Sequence, residues 1–351
     1  METDQRKQAF YGPIIVAIAN AIRAFDAPVR YPLLLSRIGQ SGNLVEALRF
    51  SGFSSFIVLV EHIIGTMITV PLLLLQRGRK RLLEQLKKFE RDDWFSLAFI
   101  SVGSGIALYF FLIALAMGNP TVAILIQKTQ PLITLLVAMV VLKERPTLRY
   151  YIALTVSLIG LYLLAFKDPL GPLDITDPAK FFELIAVLCS LVAAALWGSN
   201  TVFGRKLTES GIEYWDLTTL RYIGGTIVLI AFNFIAFAYT ADNFGALLQP
   251  VTTFGPLEIP MLGIIAICYF AILTGGIIPL AIYYLGLRWS KASIAGLAEL
   301  AFPLLAIFVN FIFAIGEALS LTQLIGTAIL LTVVTTLSYL NAKEYEVELG
   351  E

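Results

Sequence analysis

Eight ionisable side chains lie within stretches of sequence that are otherwise apolar: Arg23, Asp26, Arg30, Glu61, His62, Lys128, Arg221 and Glu299. A charge at the centre of a bilayer costs at least ~2.5–3.5 kcal/mol, so such groups normally face a cavity or a partner. Glu299 and Lys128 carry the most weight. Each lies about seven residues into its predicted span, ~10 Å at 1.5 Å per residue. Their spans enter from opposite sides, so both residues end near the midplane. Gln127 and Pro131 are four apart, as are Glu299 and Pro303, which puts each polar residue on its proline's face. A proline frees a backbone carbonyl, which an irregular membrane helix can aim into a cavity. The group could bind a polar solute or couple its passage to H+ or Na+. It could equally be a static ion pair or interhelical hydrogen bond that locks two parts together. Glu299 is the stronger coupling candidate, because a carboxylate set among Leu297, Ala298, Leu300, Ala301 and Phe302 loses its hydration.

The other polar positions have plainer alternatives. Arg23, Asp26 and Arg30 are spaced to pair along one helix face and neutralise one another. Pro28 could instead end the regular helix there. Glu61 and His62 suit a proton relay or an interfacial position. Arg221 reads as a snorkelling side chain near a span end. Asn200 and Trp197 sit together on the sixth span, and both join the candidate binding set with Glu299, Lys128, Gln127 and Asp26. Tyr109, Phe110, Phe111, Tyr283, Tyr284 and Trp197 could line a pocket for a ring-bearing solute, or simply pack. The glycine pairs Gly103/Gly105, Gly224/Gly225 and Gly275/Gly276 read as points of close helix approach. No catalytic residue is assigned. The sequence has no H-E-x-x-H or G-x-S-x-G motif and no phosphate-binding loop. Its one histidine rules out a multi-histidine metal site, and no metal or other cofactor is expected.

The elements that must position these residues follow from composition. Hydrophobic residues make up 58% of the 351 and charged residues 14%, against about 25% charged in soluble proteins. Mean hydropathy is +0.82. Zero net charge gives no case for nucleic acid. Cys189 and Cys268 lie inside apolar stretches, which argues against a disulfide network. The N-terminus lacks the features of a signal peptide. Crossing ~30 Å of hydrocarbon takes about 20 apolar residues. Ten such stretches are predicted, at 11–34, 55–75, 94–117, 121–142, 150–166, 181–203, 216–239, 262–287, 293–315 and 321–340. Barrel strands would be shorter and would alternate in polarity. The expected fold is therefore an all-α membrane protein of ten transmembrane helices. A long loop is expected from Ser36 to Ser54, and a short amphipathic surface helix from Arg77 to Asp93. Of the 25 basic residues, 17 fall on the side of the termini and the even-numbered connections. That side, both termini included, should be cytoplasmic, and the cell membrane is the expected location.

The second half repeats the first. At an offset of 172, Leu115 pairs with Leu287, Ala123 with Ala295, Leu125 with Leu297, Pro131 with Pro303 and Leu132 with Leu304. At 173, Glu144 pairs with Glu317; at 174, Asp26 falls opposite Asn200. Five spans per repeat force residues 11–166 and 181–340 to face opposite ways. Inverted repeats suit alternating access around a central site. The reading is a secondary transporter of a small metabolite, in contact with membrane lipid and compatible with a homodimer. A receptor or assembly factor without transport, or an intramembrane enzyme, are the rival readings.

Specific residues resemble the drug/metabolite transporter superfamily, in particular proteins built of two EamA-type repeats. Leu196-Trp197-Gly198-Ser199-Asn200 is similar to that family's first-helix motif, and Leu220-Arg221-Tyr222 to the opening of its next span. Gln130-Pro131-Leu132 and Phe302-Pro303-Leu304 resemble its proline turn, and Leu142-Lys143-Glu144-Arg145 its charged loop. The resemblance spans about residues 11 to 340. It implies ten helices, cytoplasmic ends and a substrate cavity between the halves. The first repeat departs from the pattern at Ala24-Phe25-Asp26 and Val60-Glu61-His62.

Overall fold

A computed structural model of the chain describes residues 2–35, 44–75, 78–117, 126–165, 179–235, 244–313 and parts of 321–336. Among them, six helices are long and apolar enough to cross a membrane: Lys7–Arg30, Gly52–Leu75, Arg91–Phe111, Leu184–Glu209, Tyr214–Phe234 and Gly263–Arg288. Shorter apolar helices cover Gln130–Val141, Leu148–Leu163 and Ala292–Ala306. The fold is all-α apart from one small hairpin. The expected fourth and ninth spans run partly outside the described residues, at 121–125 and 314–315, as does much of the expected tenth at 321–340.

The first span is α1 (Glu2–Ile22), a 3-10 turn at Arg23–Asp26, and α2 (Ala27–Leu35). Next come α3 (Leu44–Leu75), the surface helix α4 (Gly78–Lys87), α5 (Arg91–Met117), α6 (Gln130–Val141) and α7 (Leu148–Ala165). The second half opens with α8 (Ala179–Glu209) and α9 (Tyr214–Ile235). A single turn α10 (Phe244–Leu247) leads to strands β1 (Pro250–Thr253) and β2 (Ile259–Leu262), paired antiparallel with Pro250 opposite Leu262. The last described helices are α11 (Gly263–Tyr269), α12 (Ile277–Arg288), α13 (Ala292–Ala298) and α14 (Ala301–Ile312).

Two expectations need correcting. The Ser36–Ser54 stretch is not all loop, because α3 begins at Leu44. Leu44, Val45, Ala47, Leu48 and Phe50 extend the apolar run of the span backwards, so the helix continues. Residues 36–43 lie outside the described set. The β1–β2 hairpin was not expected at all. Its turn holds Phe254 and Glu258 in left-handed conformations, and Phe254 donates its N–H to the Pro28 carbonyl at 3.0 Å.

Helices from the two halves interleave. α5 packs on α8, α3 on α9, α1 on α12, and α6 on α8. Close approach is built with small residues: Ala114, Ala186 and Cys189 fill one contact. At Gly198 an added Cβ would stand 2.9 Å from the Gln130 carbonyl, so α8 meets α6 backbone to backbone. Gly224 and Gly225 make room for Ser101 and His62, in line with a packing role. The main core gathers Val16, Leu207, Leu217, Tyr284 and Leu287. Large apolar side chains such as Leu75, Val140 and Phe234 face outward, the arrangement a lipid surround favours.

Candidate substrate site

Four of the spans are interrupted, and each interruption lies just ahead of a proline. A proline in a helix lacks the N–H for the carbonyl four residues back and clashes with it. Pro28 follows the 3-10 turn at Arg23–Asp26. Pro131 follows the turn at Lys128–Thr129, where Thr129 N–H reaches the Ile126 carbonyl at 3.0 Å. Pro303 follows the turn at Glu299–Leu300, where Leu300 N–H reaches the Leu297 carbonyl at 3.1 Å. Pro279 follows a π-helical segment, Phe270–Thr274, and the break at Gly275–Gly276. An added Cβ on Gly276 would fall 1.8 Å from the Ala271 carbonyl, so only glycine fits that corner.

The turns of spans four and nine deliver one polar network. Glu299 Oε1 accepts from Thr201 Oγ1 at 2.8 Å and from Tyr283 Oη at 2.9 Å. Glu299 Oε2 accepts from Gln130 Nε2 at 2.6 Å. Gln130 Oε1 in turn accepts from Gln127 Nε2 at 2.9 Å. The contacts come from α6 and its turn in the first half and from α8 and α12 in the second. Thr201 is one helical turn beyond Trp197, whose indole packs edge-on against Phe111 at 5.5 Å. Lys128 Nζ sits 4.7 Å from the centre of the Phe302 ring. The Arg23 guanidinium lies 5.9 Å from the Tyr283 ring, and Arg221 Nη1 donates to Tyr284 Oη at 3.0 Å.

A second network stands at the turns of spans one and eight. Arg30 bonds Asp26 and, at 3.0 Å, Glu61 Oε2. Its guanidinium also covers the Phe270 ring at 4.1 Å. Thr274 Oγ1 donates to Asp26 Oδ1 at 2.8 Å. Gly275 admits this cluster: a Cβ there would come within 2.9 Å of Glu61 Oε1.

The six candidate residues thus divide. Glu299 and Gln127 share one network through Gln130. Lys128 stands beside it on Phe302 and does not contact the Glu299 carboxylate, which neutral donors hold instead. Trp197 borders the same network through Thr201. Asp26 belongs to the second network. Asn200 is turned away, because its helix face meets α5, where Nδ2 donates to Ser104 Oγ at 3.0 Å. The expected pairing of Arg23 with Asp26 is absent, since the 3-10 turn swings Arg23 toward Tyr283 while Arg30 takes Asp26. Glu61 is buried against its neighbours, with 6% of its surface exposed. His62 Nδ1 donates to the Val58 carbonyl at 2.9 Å, and the ring packs on Tyr222. Sequence reading missed Thr201 and Tyr283 as Glu299 partners. It also left Glu144 without a role, although Glu144 takes the backbone N–H groups of Ala292 and Ser293 at 2.7 and 3.2 Å, tying α13 to the first half. Among the described residues no cluster of His, Cys, Asp and Glu suits a metal ion.

Comparison with known proteins adds the class. The model of the EamA-like transporter family matches residues 46–166 and 184–339. Over 335 residues the chain is 27% identical to the riboflavin transporter ImpX of Fusobacterium nucleatum, covering 94% of this chain and 98% of that protein. It is 25% identical over 244 residues to the uncharacterized transporter sll1164 of Synechocystis, covering 69% of this chain and 66% of the relative. One solved crystal structure shares the fold with a TM-score of 0.61 at 15% identity, over 93% of this chain and 98% of that one. The family and both relatives are transporters by name, which speaks for membrane transport over an intramembrane enzyme.

Proposed function

This chain belongs to the EamA-like transporter family, and from that premise we propose a secondary carrier that moves a small, ring-bearing metabolite by alternating access. In this reading residues 11–166 and 181–340 are inverted five-helix repeats, ten spans in all, with both termini cytoplasmic and the cell membrane as the location. The metabolite class follows the riboflavin named for the relative and the aromatic side chains Trp197, Phe302 and Tyr283 beside the polar layer.

One observation carries the reading. Glu299 sits at the interruption of one half and is bonded by Gln130 at the interruption of the other. A bond made across two moving bodies must be exchanged when they rock. A solute with its own donors can replace Gln130, Thr201 or Tyr283, and so favour one arrangement over the other. Protonation of Glu299 turns one of its two acceptor oxygens into a donor, so the hydrogen bonds to these partners must rearrange. That supplies a route for proton coupling. At the end bearing the basic connections, Glu144 holds Ala292 and Ser293, and Arg205 holds the carbonyls of Leu287 and Arg288. The Glu144 bonds would have to break for the halves to part on that side.

The test is flux. Purified protein in proteoliposomes should take up riboflavin or another ring-bearing solute saturably, with a rate that responds to an imposed pH gradient. Absence of flux for every member of a ring-bearing panel, in either direction, refutes the proposal.

A further inference from the structure

We propose that the substrate is a ring-bearing monoanion, its negative charge met by Arg23 and Lys128. This rests on the reading that the Glu299 layer is the substrate site, and it goes further by naming the ligand's charge. Three cations border that layer: Arg23, Lys128 and Arg221. Among the described residues none of them forms an ion pair, whereas Arg30 pairs with Asp26 and Glu61. Glu299, the one carboxylate at hand, is occupied by two hydroxyls and an amide.

The partners of the three cations are weak. Arg23 Nε is buried with no hydrogen-bond partner, and its Nη1 reaches only Asn20 Oδ1 at 3.4 Å. Lys128 has the Phe302 ring face, and Arg221 a neutral tyrosine hydroxyl. Arg23 also lies within electrostatic reach of Arg221, Lys128 and Glu299, and Lys128 within reach of Glu299, so three cations share one carboxylate. Counting both networks, Arg23, Arg30, Lys128 and Arg221 stand against Asp26, Glu61 and Glu299. The two networks together carry a surplus of one positive charge. An uncompensated interior charge is costly, and a counter-charge brought by a ligand returns that cost as affinity. Arg23, Lys128, Arg221, Glu299 and Trp197 each keep partial exposure. A planar ring fits against Phe302 and Trp197, with one anionic group directed at the cations.

The experiment uses the full chain in nanodiscs and matched pairs of probes. One pair is indole acetate against indole acetamide. The other is a flavin carrying a carboxymethyl group against neutral riboflavin. Affinities are read by quenching of intrinsic fluorescence or by competition. In at least one pair the acid should bind about tenfold tighter than its neutral partner, and the gap should shrink as salt is raised. Lys128→Met and Arg23→Gln should each weaken binding of the acid more than binding of its neutral partner, and so narrow the gap. Should one of them fail to fold, the other and the salt series still decide. Neutral probes binding as well as acids in both pairs, or no acid binding at all, overturns the proposal. A preference for acids that survives both substitutions overturns it too, because the anion site is then elsewhere. The site reading fails separately, if Trp197→Ala and Glu299→Gln leave the affinity of every probe that binds untouched.

Discussion

Replacing Glu299 by glutamine separates its charge from its shape. In the native network Oε1 accepts two hydroxyl donors and Oε2 accepts one amide donor. A glutamine has one oxygen and one NH2. With the oxygen facing Thr201 and Tyr283, the NH2 meets the NH2 of Gln130. Gln130 must then flip, which points its own NH2 at the NH2 of Gln127, so Gln127 flips as well. Three hydrogen bonds to a charged group become three neutral ones, a loss of about 1 kcal/mol each. Against this, the variant no longer buries a carboxylate, whose desolvation costs several kcal/mol. The two effects offset, and Glu299→Gln should change stability by no more than about 1–2 kcal/mol in either direction. Glu299→Ala differs. Tyr283 can still donate to Thr201 Oγ1 at 3.0 Å, and Thr201 to the Trp197 carbonyl at 3.3 Å. Gln130 alone loses its acceptor, a penalty of about 1–3 kcal/mol before the cavity is added. The assay is thermal unfolding of both variants, followed by uptake into proteoliposomes with and without a pH gradient. Glu299→Gln should melt near the native protein, lose gradient-driven uptake and keep some exchange at equal pH. If it transports at the native rate with full pH dependence, Glu299 is a structural contact and the coupling argument is wrong.

Other outcomes follow from the same geometry. Gly276→Ala puts a Cβ on the Ala271 carbonyl and should abolish folding or transport, read from the yield of monodisperse protein and from uptake. Pro303→Ala restores an N–H to the first turn of α14 and removes the steric bar to continuous helix through Glu299–Leu300; the protein should melt no lower, yet transport more slowly. Glu144→Ala leaves the N-terminal N–H donors of α13 without their acceptor, and should lower stability by about 1–2 kcal/mol in a melting series. A single cysteine at Lys87, in a Cys189→Ala, Cys268→Ala background, should resist an impermeant reagent added to intact cells; strong labelling would reverse the proposed orientation.

Much of this was legible in the sequence, for identifiable reasons. Apolar length gave the spans, since a bilayer demands it. Proline spacing marked the turns at Glu299 and Lys128, because a proline disables the carbonyl four residues back. The same signal was present at Pro279 and went unread; Gly275 and Gly276 were assigned to packing, whereas Gly276 marks a backbone corner. The partners of Glu299 were not legible. Thr201 and Tyr283 are ordinary helix residues in a linear reading, and only the packing of α8 and α12 against α13 brings them to the carboxylate. Asn200 misled for the same reason. It neighbours Thr201 in sequence, but one residue along a helix turns about 100°, and that face meets α5. Lys128 and Glu299 are not joined, because Lys128 lies on the Phe302 ring and Glu299 is held by Thr201, Tyr283 and Gln130.

The central claim is that the Glu299 layer is a substrate site opened alternately to the two sides of the membrane. The most direct measurement is labelling of a single cysteine at Thr201 in proteoliposomes of known orientation. A small impermeant thiol reagent is applied from one side or the other. Alternating access predicts slow labelling from both sides, and protection from both by a transported ring-bearing solute. Labelling from neither side, or from one side under every solute and pH condition, contradicts it.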